Sequence, residues 1–147
     1  MKLKMYFIFL GILLVAQPLF GQQPSRPDPI VQNTFPPVLV MQNQQAAGLG
    51  DEQKKAIKTQ IRESEMKFQE LRWNLEDEME TFVSLLTPAR VDEQKALAQL
   101  DKILNIESQI KREHLALQIR IKNLLTPDQQ EKLQQIRKAD NPLPRLP

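Results

Sequence analysis

Ile57, Ile61, Phe68, Leu71, Leu75, Met79, Phe82 and Leu86 fall at steps of three and four, with one seven-residue step at Ser64. That period belongs to one face of an α-helix and to no strand. A segment from Asp51 to Leu86 is therefore expected to form one helix, about 50 Å long at 1.5 Å per residue. A second stripe follows at Leu100, Ile103, Ile110, His114, Leu117, Ile121 and Leu124, with Leu97 and Leu104 widening it. Leu86-Thr87-Pro88 stops the first helix, and Asp92 is the best N-cap for the next, with Thr87-Pro88 a competing start. Two such rods joined by about five residues must lie antiparallel. Pairing across the loop brings together residues whose numbers sum to about 178. It sets Glu76, Asp77, Glu78 and Glu80 near Lys102 and Lys95, and Glu63 and Glu65 near Lys111 and Arg112.

The helix starts are marked by their own chemistry. In Leu125-Thr126-Pro127-Asp128-Gln129, Thr126 can accept from a free backbone N–H as N-cap. Pro127 takes N1, where a missing N–H costs nothing, and Gln129 at N3 can close a capping box. Leu49-Gly50-Asp51-Glu52-Gln53 repeats the pattern with Gly50 as cap and Gln53 at N3. Val38–Ala47 reads as a first short helix broken by Gly48-Leu49-Gly50, and Thr126–Ala139 as a fourth. The expected class is all-α: a long antiparallel hairpin with short flanking helices, four in all.

Lys2 and Lys4 precede an apolar run, Met5–Ala16, too short to span a bilayer comfortably. Residues 1–21 read as a signal peptide, 22–37 as a disordered or extended Pro-rich spacer, 38–139 as the helical domain and 140–147 as a Pro-rich tail. The expected location is the periplasm. Removing the leader takes two of the 20 basic residues and leaves 18 against 18 acidic ones. A near-neutral chain without a basic stripe gives no reason to expect nucleic acid as a partner. The sequence holds no cysteine, so neither disulfides nor thiolate metal sites arise. An isolated hairpin leaves apolar surface wet, and a second copy would cover it, so a homodimer is expected.

Catalysis finds no foothold. There is one histidine, no G-x-S-x-G nucleophile motif and no Gly-rich phosphate loop. The expectation is a protein that is not an enzyme and carries no cofactor. A divalent transition metal is the one alternative, with His114, Glu113 and Met41 as its candidate ligands. The stripe turns His114 toward the core or a dimer seam, where a buried, hydrogen-bonded histidine is the plainer reading. Trp73, Val83 and Leu115 stand off the main stripes among charged residues and are the candidate polypeptide-binding positions. Packing of Trp73 beneath a short helix is the competing reading.

The leader and the two motifs, Leu49-Gly50-Asp51-Glu52-Gln53 and Leu125-Thr126-Pro127-Asp128-Gln129, resemble the periplasmic LTxxQ superfamily. It comprises Spy/CpxP-type chaperones and related heavy-metal resistance or sensor proteins. Phe35-Pro36-Pro37-Val38-Leu39-Val40-Met41 is similar to the lead-in of the metal-sensor branch. The likeness spans roughly residues 35–138; the second motif matches fully, and the first departs at Gly50, where the family has Thr. It implies a hairpin that dimerises into a curved cradle. By branch, that cradle binds unfolded or misfolded envelope proteins without ATP, binds a transition metal, or restrains a membrane-bound signalling partner.

Overall fold

The computed structural model describes residues 28–140. Five helices follow one another: α1 (Pro29–Asn33), α2 (Pro37–Gln42), α3 (Asp51–Leu86), α4 (Glu93–Leu124) and α5 (Pro127–Asp140). There is no strand among the described residues. The all-α hairpin with short flanking helices is therefore the fold, with α1 as one further turn ahead of the expected elements.

Helices α3 and α4 pack along each other as the two arms. Their cross-links fix an antiparallel register: Ser64 donates to Glu113 at 2.7 Å, Gln99 donates to the Glu78 carbonyl at 2.8 Å, and Lys102 meets Glu78 at 3.6 Å. These pairs sum to 177–180, as the loop geometry requires. Other expected ion pairs do not form. Lys95 turns to its own N-cap, Asp92, at 3.3 Å, and Glu113, not Glu63 or Glu65, receives the cations of its layer. The seam is a coiled-coil seam in spacing, with Ile57, Ser64 and Leu71 on α3 facing Ala96, Gln99, Ile103, Glu113, Leu117 and Ile121 on α4.

Part of the expected spacer belongs to the packed domain. Within residues 28–37, Asp28 caps α1 by accepting from Ile30 N–H at 2.8 Å, and Phe35 is wholly buried. The prolines start helices here: Pro29 and Pro37 occupy the first turns of α1 and α2, where proline has no hydrogen bond to lose. Arg137 donates to the carbonyls of Val31 (2.7 Å), Gln32 (3.1 Å) and Thr34 (2.5 Å), and Lys122 donates to that of Asn33 (2.8 Å). Cations from α4 and α5 thereby satisfy the open C-terminal end of α1. The leader (1–21), the spacer up to 27 and the tail from 141 lie outside the described residues.

Helix α2 is shorter than the Val38–Ala47 reading. Beyond Gln42 the chain continues in turns, closed by Leu49 N–H on the Gln44 carbonyl (2.9 Å) and Gly48 N–H on that of Gln45 (3.0 Å). Gly48 has φ +74°. This is a Schellman ending, which needs a left-handed residue. Gly48→Ala is expected to cost about 1 kcal/mol, read from urea unfolding, because a Cβ disfavours that conformation.

The apolar core is not spread evenly. Phe35, Val40, Ala47, Leu49, Ile57, Leu117, Ile121, Leu125 and Leu133 form one cluster, with Leu39, Met41, Ile61, Phe68 and Leu124 against it. The buried members lie at the open end of the hairpin, where α1, α2 and α5 cover the arms, and Phe68 extends the cluster to the middle of α3. Toward the Thr87–Asp92 turn only Leu71, Ala96 and Ile103 are buried among the apolar residues, so that half is held by a thin seam.

Candidate functional site

The two sequence motifs meet in space. Gln129 Oε1 accepts from Thr126 N–H at 2.9 Å, and Thr126 Oγ1 accepts from Gln129 N–H at 3.3 Å, which completes the expected box. Gln53 Oε1 accepts from Gly50 N–H at 3.1 Å, without a return bond because glycine has no side chain. The amides then bond to each other. Gln53 Nε2 donates to Gln129 Oε1 and Gln129 Nε2 donates to Gln53 Oε1, both at 3.0 Å. Each remaining N–H goes across to the residue just ahead of the opposite motif: Gln53 to the Leu124 carbonyl at 2.9 Å, Gln129 to that of Gly48 at 3.0 Å. Every donor and both acceptor positions of the two amides are used. Leu49 and Leu125 are buried beside them, while Gly50, Thr126 and Pro127 face solvent. The motifs thus form a clasp between the starts of α3 and α5. Local capping logic does not reveal the amide–amide contact, although two Gln at N3 of two caps was its signal.

The three candidate metal ligands have separate surroundings. His114 is exposed and tilts against Phe68, with ring centroids 5.4 Å apart. Its neighbour Glu113 takes the buried position expected for the imidazole. Glu113 accepts from Ser64 (2.7 Å) and from Arg120 (2.8 Å), with Lys67 at 4.0 Å. Met41 packs against the core cluster at the open end. No group of three or more His, Asp or Glu suited to a metal occurs among the described residues.

Burial raises the Glu113 pKa, but the bonds from Ser64 and Arg120 and the positive charges of Arg120 and Lys67 outweigh it and hold the carboxyl below its ordinary value of 4.5. A depressed acid contributes stability that is fully present above the unfolded-state pKa and is lost as pH falls through the lower folded-state value. Acid titration of stability below pH 4.5 is therefore expected to flatten in Glu113→Gln. The variant should also lose about 1.5–3 kcal/mol at neutral pH, measured by denaturant unfolding, because it forfeits the charged acceptor of Arg120.

The candidate binding positions lie where a ligand can reach them. Trp73 is 60% exposed and Val83 58%, so Trp73 does not pack beneath a short helix. Leu115 is exposed at the margin, at 36%. They do not form one site: Trp73 and Val83 lie on α3, Leu115 on the back of α4. The sequence reading missed further members. Met79 and Leu86, assigned to the seam, are exposed, as are Met66 and Val91. Leu97 and Leu104 do not widen the α4 stripe; they stand on its opposite side, at 52% and 50% exposure. Their seven-residue spacing from each other, out of phase with Ile103 and Leu117, was the available signal.

No family model matches the chain, and no match emerged among curated proteins or solved structures.

Proposed function

We propose that this protein is a non-enzymatic binder of unfolded or misfolded polypeptide that works in the cell envelope without nucleotide. The observation carrying this reading is the outer half of the hairpin. There Trp73, Met79, Val83, Leu86 and Val91 stay exposed between Glu, Asp, Lys and Arg side chains, with Met66 exposed near the middle of α3. Apolar side chains scattered on a charged, rigid rod offer many weak contacts to an extended chain, and flexible Met residues adapt to different partners. The charged neighbours keep the rod soluble and speed encounter with polypeptides of either sign. The short apolar leader and the paired Leu-x-x-x-Gln motifs agree with an exported protein of the LTxxQ kind. A membrane-bound signalling partner on the same surface belongs to this proposal as well.

The test is light scattering of a chemically denatured client diluted into the purified protein at near-equal stoichiometry, with neither nucleotide nor metal. Suppression of aggregation is expected. The double variant Trp73→Ser/Val83→Ser should lose most of it, while its stability moves by no more than about 0.5 kcal/mol because both side chains are at the surface. No suppression, joined to a rise in melting temperature with zinc or nickel that His114→Ala abolishes, would replace this reading by metal sensing.

A further inference from the structure

The two arms form a ribbon with two broad faces. Glu78, Gln99 and Lys102 mark one of them, through the Gln99–Glu78 hydrogen bond and the Lys102–Glu78 ion pair. At 100° per residue, Met79 and Val83 are turned about 100° and 140° from Glu78 on α3, and Leu97 and Leu104 about 140° and 160° from Lys102 on α4. These four exposed apolar residues therefore share the other broad face, with half-buried Leu100 between the two leucines. Leu104 and Lys122 stand five full turns apart, on one side of α4. Lys122 donates to the Asn33 carbonyl and Gln118 bonds to Thr34, so the end of α1 lies along this same side farther from the turn. The face is covered there by the chain's own short helix and is bare from there to the turn.

Charge divides the hairpin in the same way. From Gln69 to Gln109 there are nine acidic residues and four basic ones, whereas the remaining described residues hold nine acidic and twelve basic. Glu76, Glu80, Glu93, Asp101 and Glu107 fall on the bare face or its rims, are exposed, and form no ion pair among the described residues. Arg72 stands among them, while Lys95 is held by Asp92 and Lys102 by Glu78.

We infer that the bare face seats a basic amphipathic helix, laid between the outer halves of α3 and α4. The inference rests on the polypeptide-binding reading and names the class of chain that this half retains. Encounter with the whole rod is open to chains of either sign, because the inner half balances the outer; retention on this face is not. Apolar residues at steps of three and four would rest on Met79, Val83, Leu97 and Leu104, and flanking lysines or arginines would reach the unpaired carboxylates. Acidic flanks would meet Glu76 and Glu80 on one rim and Glu93 and Asp101 on the other, like charge against like. The occupant is a helix because two helices offer no sheet edge: a strand laid there would leave its backbone N–H and C=O groups without partners, whereas a helix satisfies its own. The stretch from Glu93 to Gln118 measures about 37 Å, room for a helix of about 20 residues.

Fluorescence anisotropy of a labelled 18-residue peptide of leucine, alanine and lysine, with leucine at steps of three and four, tests the inference on the purified protein. Binding is expected near the micromolar range. Exchanging its lysines for glutamate, or rearranging the same residues so that the leucines no longer share a side, should each weaken binding at least about tenfold. On the protein, Glu76→Lys/Glu80→Lys should weaken the lysine peptide about tenfold and Leu104→Ser about fivefold, with circular dichroism unchanged, because all three side chains are exposed. No binding of the lysine peptide, equal affinity for the glutamate or the rearranged peptide, or an affinity unmoved by the substitutions would overturn the inference. Suppression of client aggregation alongside any of these results would leave the polypeptide-binding reading standing and remove only the preference for a basic helix.

Discussion

Phe35→Ala is expected to lower the unfolding free energy by about 3–5 kcal/mol, the range for truncating a buried aromatic side chain. Phe35 has no exposure and lies in the same cluster as Ile57, Leu117, Ile121 and Leu133. The Arg137 guanidinium sits 5.3 Å from its ring centroid. That guanidinium also holds the carbonyls of Val31, Gln32 and Thr34, and its burial lowers its pKa. The truncation thus opens a cavity under the core and loosens the support of the residue whose hydrogen bonds tie α5 to α1. Urea unfolding followed at 222 nm measures the loss. A change below about 1 kcal/mol would mean that residues 28–36 only drape over the domain, the behaviour of an extended spacer.

Gln129→Ala should cost about 2–4 kcal/mol. It removes the partner of Gln53, the acceptor for Thr126 N–H and the donor to the Gly48 carbonyl in one step. Losing a cap is worth about 1 kcal/mol, and leaving part-buried polar groups without partners adds about 1–3 kcal/mol. Gln53→Ala removes the mirror-image set. Because the two amides bond reciprocally, the double variant should be markedly less destabilised than the sum of the single ones. A coupling energy of at least about 1 kcal/mol is the expected signature of residues in one network. Additive losses would show two independent caps and no clasp.

The long elements were legible because their signals are local and repeated. Helix α3 spans Asp51–Leu86 as its stripe and Gly50 indicate, Asp92 caps α4, and Thr126 with Gln129 closes its box. The antiparallel register followed from loop length alone. What the sequence hid depends on partners far along the chain. Between Ile110 and Leu117 both a three-step to Glu113 and a four-step to His114 are compatible with one helix face. Apolarity favours the imidazole, yet Ser64 and Arg120 across the seam make the carboxylate the better buried group. Prolines 29 and 37 read as helix breakers until their place in the first turn is known. Leu97 and Leu104 were folded into the nearest stripe because a widened face and a second face differ only in phase.

The candidate sites divide in the same way. Trp73 and Val83 stood out because large apolar residues sat among charges, and they are exposed. The metal trio was assembled by chemical type, whereas in the structure Met41 packs against the core cluster, Glu113 is bonded to Ser64 and Arg120, and His114 is an exposed imidazole against Phe68. The clasp lay between these cases: each Gln was recognised as a cap, but sequence spacing carries no information about two caps meeting.

Native-state amide hydrogen exchange, residue by residue, tests the central claim that this hairpin is fastened at its open end and thin at its turn. Protection should be greatest in α3 around Ile57–Ser64, in α4 around Leu117–Leu124 and at the start of α5. It should fall progressively along both arms toward Thr87–Asp92, because few apolar contacts are buried there. Uniform protection along both arms, or greatest protection beside the turn, would contradict it.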